Sequence, residues 1–178
     1  MSRPVSGRTG AGVYSRLPLR KILLAGILGA ISAILGLTPL GLIPVPNLSG
    51  YATVMHIPAI IGGLLGGPLV GALVGLVLGF FTMHLFLGNL VACFVPRLLI
   101  GVVAYYVFAL LGKNRYAILV AALAGTFTNT VGVLGLMVLM KYFTWQQVLP
   151  VFALNGSLEL LISAVIVYPI VRVLQKVV

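Results

Sequence analysis

The sequence predicts an all-α membrane protein, a bundle of six transmembrane helices with both termini in the cytoplasm. Three observations lead there. The 178-residue chain is 61% hydrophobic and 7% charged, against about 25% charged residues in a soluble domain, so it cannot cover itself with a solvated surface. Its mean hydropathy is +1.24, and the apolar residues fall in runs near the roughly 20 that a transmembrane helix needs. Eleven Lys and Arg stand against one acid, Glu159, and the cations gather at chain positions that an even number of spans brings to one side.

The first helix is expected from Ile22 to Leu37, opened by Arg20-Lys21 and closed by Thr38-Pro39. The second, Ala52 to Leu65, is short and holds Pro58; tilt, local thinning or partial unwinding would let it reach across. Gly66-Gly67-Pro68 is a tight turn into the third helix, Leu69 to Leu87. The fourth runs from Leu90 to Leu111, the fifth from Tyr116 to Met140 and the sixth from Val148 to Leu174. A β-barrel would instead alternate over segments of about 10 residues, and these runs are apolar all round. Residues 1–19 read as a flexible basic cytoplasmic tail, and 20–178 as a single six-helix domain.

Orientation follows from the charges. Arg3, Arg8, Arg16, Arg20 and Lys21 precede the first helix, Lys113 and Arg115 separate the fourth from the fifth, and Arg172 and Lys176 end the sixth. Six spans put all nine on the cytoplasmic side, as the positive-inside rule requires; five would put the last four outside. The outer connection Thr38–Tyr51 is broken by prolines and glycines, yet Leu40, Leu42, Ile43 and Val45 make it too apolar for a solvated loop. It is expected to fold back as a cap.

Several function classes drop out. Cys93 is the lone cysteine, so no intrachain disulfide or cysteine-based metal site forms. The positive balance is a topology signal rather than a nucleic-acid footprint. No phosphate-cradling loop, carboxylate pair or Ser/His/Asp set is present, so the chain carries no cofactor of its own and any ATP is used by a partner subunit.

The informative residues are the polar ones inside spans, because ionisable groups are costly in lipid and usually mark a pathway or a site. Arg97 and Asn155 lie roughly 10 Å from the outer ends of their helices, and Asn129 and Glu159 roughly 16 Å in, near the midplane. The inner halves hold few strongly polar groups, which implies a cavity opening outward. Asn155 and Glu159 are four apart and share a helix face, as do Thr126, Asn129 and Thr130. Arg97 either neutralises Glu159 or offers a fork for a carboxylate or phosphate. His84 and His56 are metal ligands or proton acceptors, or else hydrogen-bonded interfacial histidines. Asn47 and Tyr51 sit in the capping loop, where a role in binding or in folding is open. On the first helix Ala25, Gly29 and Ala33 recur every four residues, a spacing that serves internal packing or a partner subunit equally. The third helix has a comparable row, Gly71, Gly75 and Gly79, read as packing within the chain.

In order and spacing these features resemble the substrate-binding S component of an energy-coupling factor (ECF) vitamin transporter, in its riboflavin/pantothenate-type group. The likeness rests on the small-residue row of the first helix and on Tyr51-Ala-Thr-Val-Met-His-Ile-Pro-Ala-Ile-Ile-Gly-Gly leading to Gly67-Pro68. It rests also on Pro96-Arg97 before Leu98-Leu99-Ile100-Gly101, on Thr126-Phe-Thr-Asn129-Thr130, and on Asn155-Gly-Ser-Leu-Glu159. The resemblance implies a multi-pass protein of a prokaryotic plasma membrane, not an enzyme. It would bind a vitamin from outside through the later helices and first outer loop, and dock by helix one on a transmembrane T component joined to two cytosolic ATPases. A buried Arg97 near Asn129 suits a small carboxylate bearing hydroxyls and amides, so pantothenate is the expected cargo. The expected binding set is Arg97, Asn129, Asn155, Glu159, Thr126, Thr130, Asn47, Tyr51 and His84, with no metal site. The rival readings are a stand-alone proton-coupled carrier, with Glu159 taking the proton, and a small integral-membrane enzyme.

Overall fold

Helices account for most of the chain because its long runs lack β-strand alternation and are punctuated only at Gly, Pro and Asn. The computed structural model describes residues 18–86 and 89–176. The helices are α1 (Leu19–Leu37), α2 (Ile57–Gly66), α3 (Pro68–Thr82), α4 (Leu90–Leu110), α5 (Arg115–Leu139), α6 (Trp145–Val151) and α7 (Ser157–Leu174). One π-helical turn, Phe152–Gly156, joins α6 to α7. The basic tail expected over 1–19 lies outside the described residues as far as residue 17, as does Leu87 at the expected end of the third helix.

Local chemistry sets the helix ends. Asn89 caps α4 by accepting from the Ala92 N–H, and Asn114 caps α5 by accepting from Tyr116 and Ala117. Thr144 and Gln147 form a capping box at α6. α3 starts with Pro68 behind Gly67, whose φ of 94° suits glycine alone.

Four helical stretches are long and apolar enough to cross a membrane: α1, α4, α5 and the continuous run Trp145–Leu174. α2 and α3 are apolar but shorter. The expected second helix is therefore corrected at its start. Tyr51–Thr53 is a β-strand, and the helix begins only at Ile57. Extended backbone wins there because Ala52 pairs across a hairpin rather than continuing a helix.

α4 packs between α3 and α5, α1 lies over α2 and α3, and α7 lies on α5 and α2. α2 is enclosed by these neighbours, with nine of its ten residues buried. Its length of roughly 15 Å is consequently not set by the bilayer's hydrocarbon thickness. By contrast Ile22, Leu23, Ile27, Ile31 and Ile34 of α1 are exposed, as a lipid-facing surface requires. Since lipid is as apolar as leucine, close packing rather than water exclusion holds such helices together.

α3 and α4 approach closely. A Cβ on Gly75 would overlap the Arg97 carbonyl, and one on Gly71 would come within 2.7 Å of the Gly101 Cα. The glycine row of α3 thus fixes the backbone that carries Arg97. Gly75→Val is expected to force the two helices apart and to destabilise the protein by about 1–3 kcal/mol. Thermal unfolding in detergent should show a lowered midpoint for Gly75→Val and an unchanged one for Gly135→Ala, whose added Cβ meets nothing within 4 Å.

Candidate functional site

The connection between α1 and α2 is a β-hairpin. β1 (Leu42–Pro44) pairs antiparallel with β2 (Tyr51–Thr53), placing Leu42 opposite Thr53 and Pro44 opposite Tyr51. Its turn is built by Asn47, whose side-chain oxygen accepts from the Ser49 and Gly50 N–H groups, while Gly50 takes a φ of 72°. The expected cap is therefore a hairpin, latched by side chains from the last helical run.

Two residues form the latch. Asn155 lies in the π turn, five residues beyond Pro150, which removes one N–H from the helical ladder. Such turns widen a helix and recur at functional sites. Asn155 donates to the Tyr51 carbonyl at 2.8 Å and to Ser49 Oγ at 2.7 Å, and accepts from Asn47 Nδ2 at 2.6 Å. Glu159, 4% exposed, accepts at Oε1 from the Thr53 N–H (2.7 Å) and Thr53 Oγ1 (3.0 Å). Its Oε2 accepts from Thr130 Oγ1 at 2.8 Å. The one carboxylate side chain of the protein joins β2, α5 and α7.

Beneath the hairpin is a cavity of about 290 Å³. Its polar lining comes from Ser49, Tyr51 and Thr53 of the hairpin, Arg97 of α4, Asn129 and Thr130 of α5, and Asn155 and Glu159 of the last run, with His56 at the start of α2. Its apolar wall is Leu42, Met55, Leu78, Val133, Leu134, Met137, Phe143 and Val151. Arg97 is 6% exposed, and its Nη1 donates to the Cys93 carbonyl one turn earlier at 2.7 Å, which fixes the guanidinium against its own helix. The Asn129 amide has no hydrogen-bond partner among the described residues although the residue is only 8% exposed. Asn129 lines the cavity, so its amide is open to a polar molecule there. The arrangement offers one cation, one carboxylate, two amides and several hydroxyls to a small polar molecule. Among the described residues no group of three His, Cys, Asp or Glu side chains could hold a metal ion.

Of the residues expected from sequence, Arg97, Asn129, Thr130, Asn155, Glu159 and Tyr51 meet at this cavity. Asn47 stands one contact away, holding Asn155. Thr126 is fully buried and bonds His56 Nε2 at 3.0 Å. His84 is corrected: it is exposed in the short 3-10 turn after α3 and does not line the cavity. Ser49 and Thr53 were missed because a hairpin brings them in, and no local signal announces that hairpin. The stripe Thr130, Val133, Leu134 and Met137 was readable as one face of α5. On α1, Gly29 is buried against Val77, and Ala25 packs on the core. The small residues exposed on that helix are Gly26 and Ala30.

The sequence matches the family model described as ECF transporter, substrate-specific component, over residues 20–171. The chain belongs to that family, and is a multi-pass membrane component of a transporter rather than an enzyme. It is also 33% identical over 93 residues to the pantothenic acid transporter PanT of Lactococcus lactis subsp. cremoris. That match covers 49% of this chain and 47% of the relative, so it spans about half the length of the curated protein it resembles.

Glu159→Leu removes both accepting oxygens and leaves the Thr53 N–H and hydroxyl without their acceptor. It is expected to loosen the hairpin, at about 1–3 kcal/mol for the unmatched group. Hydrogen exchange at the Thr53 amide should quicken by about tenfold or more, with exchange in the middle of α4 unchanged.

Proposed function

We propose that this member of the ECF substrate-specific family captures pantothenate from outside the cell and hands it inward with a transmembrane T component and two cytosolic ATPases. The observation that carries this reading is the convergence of the Arg97 guanidinium and the unmatched Asn129 amide on one small cavity under a latched hairpin. Pantothenate presents a carboxylate, an amide and two hydroxyls, one counterpart for each polar group type in the lining. The cavity of about 290 Å³ lies at the small end of ligand pockets, roughly 300–1,000 Å³, which favours a compact vitamin over a flavin. The likeness to a pantothenic acid transporter supports the same cargo.

In this reading the chain crosses the membrane six times, with both termini inside. The enclosed α2 supports it, since a helix surrounded by protein escapes the length that lipid would impose. Positive charge supports it too: Arg20, Lys21, Lys113, Arg115, Arg172 and Lys176 fall at the ends away from the hairpin, leaving Lys141 on the hairpin side. The pocket then opens outward, and the apolar inner half of the bundle closes it from the cytoplasm. For docking on the T component, Gly26 and Ala30 are the small residues that α1 leaves exposed, and Ala25, Gly29 and Ala33 flank them.

Two experiments test this. The purified chain should bind pantothenate without partners, and should sustain uptake in vesicles only with the T component and ATPases present. Arg97→Ala should weaken pantothenate by about tenfold or more while changing little for pantothenol, the neutral alcohol analogue. No binding of pantothenate by the wild-type chain, or equal losses for both ligands, would refute the assignment. For docking, Gly26→Trp, at a position with nothing within 4 Å, should leave pantothenate binding intact and abolish co-purification with the T component. Retained co-purification would move the docking face elsewhere.

A further inference from the structure

A second cavity, of about 510 Å³, lies at the end of the bundle away from the hairpin. It runs between the first turns of α1 and the last turn of α2, and its lining includes Arg20, Lys21, Leu23, Leu24, Ile27 and Leu65. This lining differs in kind from that of the vitamin cavity. Among the described residues no amide or hydroxyl side chain takes part, and the two polar side chains are both cations. Along α1 the groove is amphipathic. Arg20 and Lys21 stand at the helix end, and Leu23 and Ile27 follow roughly 5 Å and 10 Å beyond Arg20. Both are exposed, at 56% and 61%, and the exposed apolar face continues through Ile31 and Ile34.

Lys21 reaches across the groove. Its ammonium lies 3.8 Å from the position a Cβ would take on Gly67, the C-cap of α2. The carbonyl end of a helix attracts a cation, which accounts for that placement. The chain has one acidic side chain, Glu159, and it is bonded to the hairpin, so no other side chain of the protein brings a negative charge to this groove. The preceding segment is no better suited, since residues 1–17 contain Arg3, Arg8 and Arg16 and no acid. Cations at the helix end and an apolar wall further in call for an amphipathic anion.

We propose that this groove holds an anionic phospholipid of the inner leaflet, its phosphate on Arg20 and Lys21 and an acyl chain along Leu23, Leu24 and Ile27 against Leu65. Basic pockets between transmembrane helices bind anionic headgroups in this way. The assignment draws on the orientation proposed above only for the choice of leaflet, and it is independent of the cargo.

The test separates a held lipid from general attraction to surface charge. The purified full chain, in detergent with equal amounts of phosphatidylglycerol and phosphatidylcholine, is expected to retain phosphatidylglycerol selectively in native mass spectrometry. Arg20→Gln with Lys21→Gln should lower that occupancy by about tenfold or more, with the thermal midpoint in lipid-free detergent unchanged. Lys113→Gln with Arg115→Gln removes the same charge elsewhere and should leave occupancy within about threefold. Equal losses in the two double variants would reduce the effect to surface charge and overturn the proposal. Phosphatidylglycerol with a photoreactive acyl chain reads the position without mutation. Labelling is expected around Leu23–Ile27 and Leu65, and labelling spread evenly over α4 and α5 would overturn the proposal. Excess inorganic phosphate should leave the lipid bound; displacement would make this a free-anion site and overturn the lipid assignment. A lipid-free dimer would make a second copy the occupant, and labelling that appears only after removal of residues 1–17 would make that segment the occupant; either result overturns the proposal. No readout involves pantothenate, so the cargo assignment stands or falls separately.

Discussion

A single carboxylate organises the end of the bundle that holds the cavity. Glu159 accepts three hydrogen bonds, two from Thr53 on the hairpin and one from Thr130 on α5. In a membrane interior these bonds have little competition from water, and an ionisable group left unmatched there would be strongly unfavourable. Meeting that demand draws a loop, a helix and the last helical run to one point. Asn155 makes a second attachment one turn earlier, so the hairpin is tied at both its turn and its second strand. The roof of the cavity is thus held by polar contacts, whereas the rest of the bundle is held by packing.

The division of labour runs along the helices. Toward the α2–α3 turn, the fully buried residues are apolar: Ile60, Val70, Ile118, Val167 and Val171. Toward the hairpin they give way to Thr82, Arg97, Asn129, Thr130, Asn155 and Glu159. One half of the bundle has an apolar core, and the other holds the polar cavity. The glycines of α3 link the two, because they bring α4 close enough to set the position of Arg97. The cavity lining combines apolar side chains, among them Val133, Met137 and Phe143, with the polar ones.

Most of the helical framework was legible from composition and punctuation. The expected first, fourth and fifth helices agree within three residues with α1, α4 and α5, since long apolar runs in lipid have few alternatives to helix. The polar set was legible for the same reason: a buried Arg, Glu or Asn in such a run stands out. The hairpin was not, because its strands are three residues each and owe their pairing to Glu159 and Asn155 more than a hundred positions later. His84 shows the opposite error, a polar residue in an apolar run that ends exposed beyond the helix.

By itself, then, the sequence determined the solvent of this protein, its helices, and which buried polar residues had to find partners, because the cost of charge in lipid is a property of each residue. The tertiary structure alone decided which partners they found. Glu159 meets two threonines, Arg97 reaches back to its own backbone, and Gly29 turns inward while Gly26 stays open. Those outcomes depend on how helices far apart in the chain are rotated against one another. That rotation is fixed by close packing of small residues, which the order of residues along one helix does not specify.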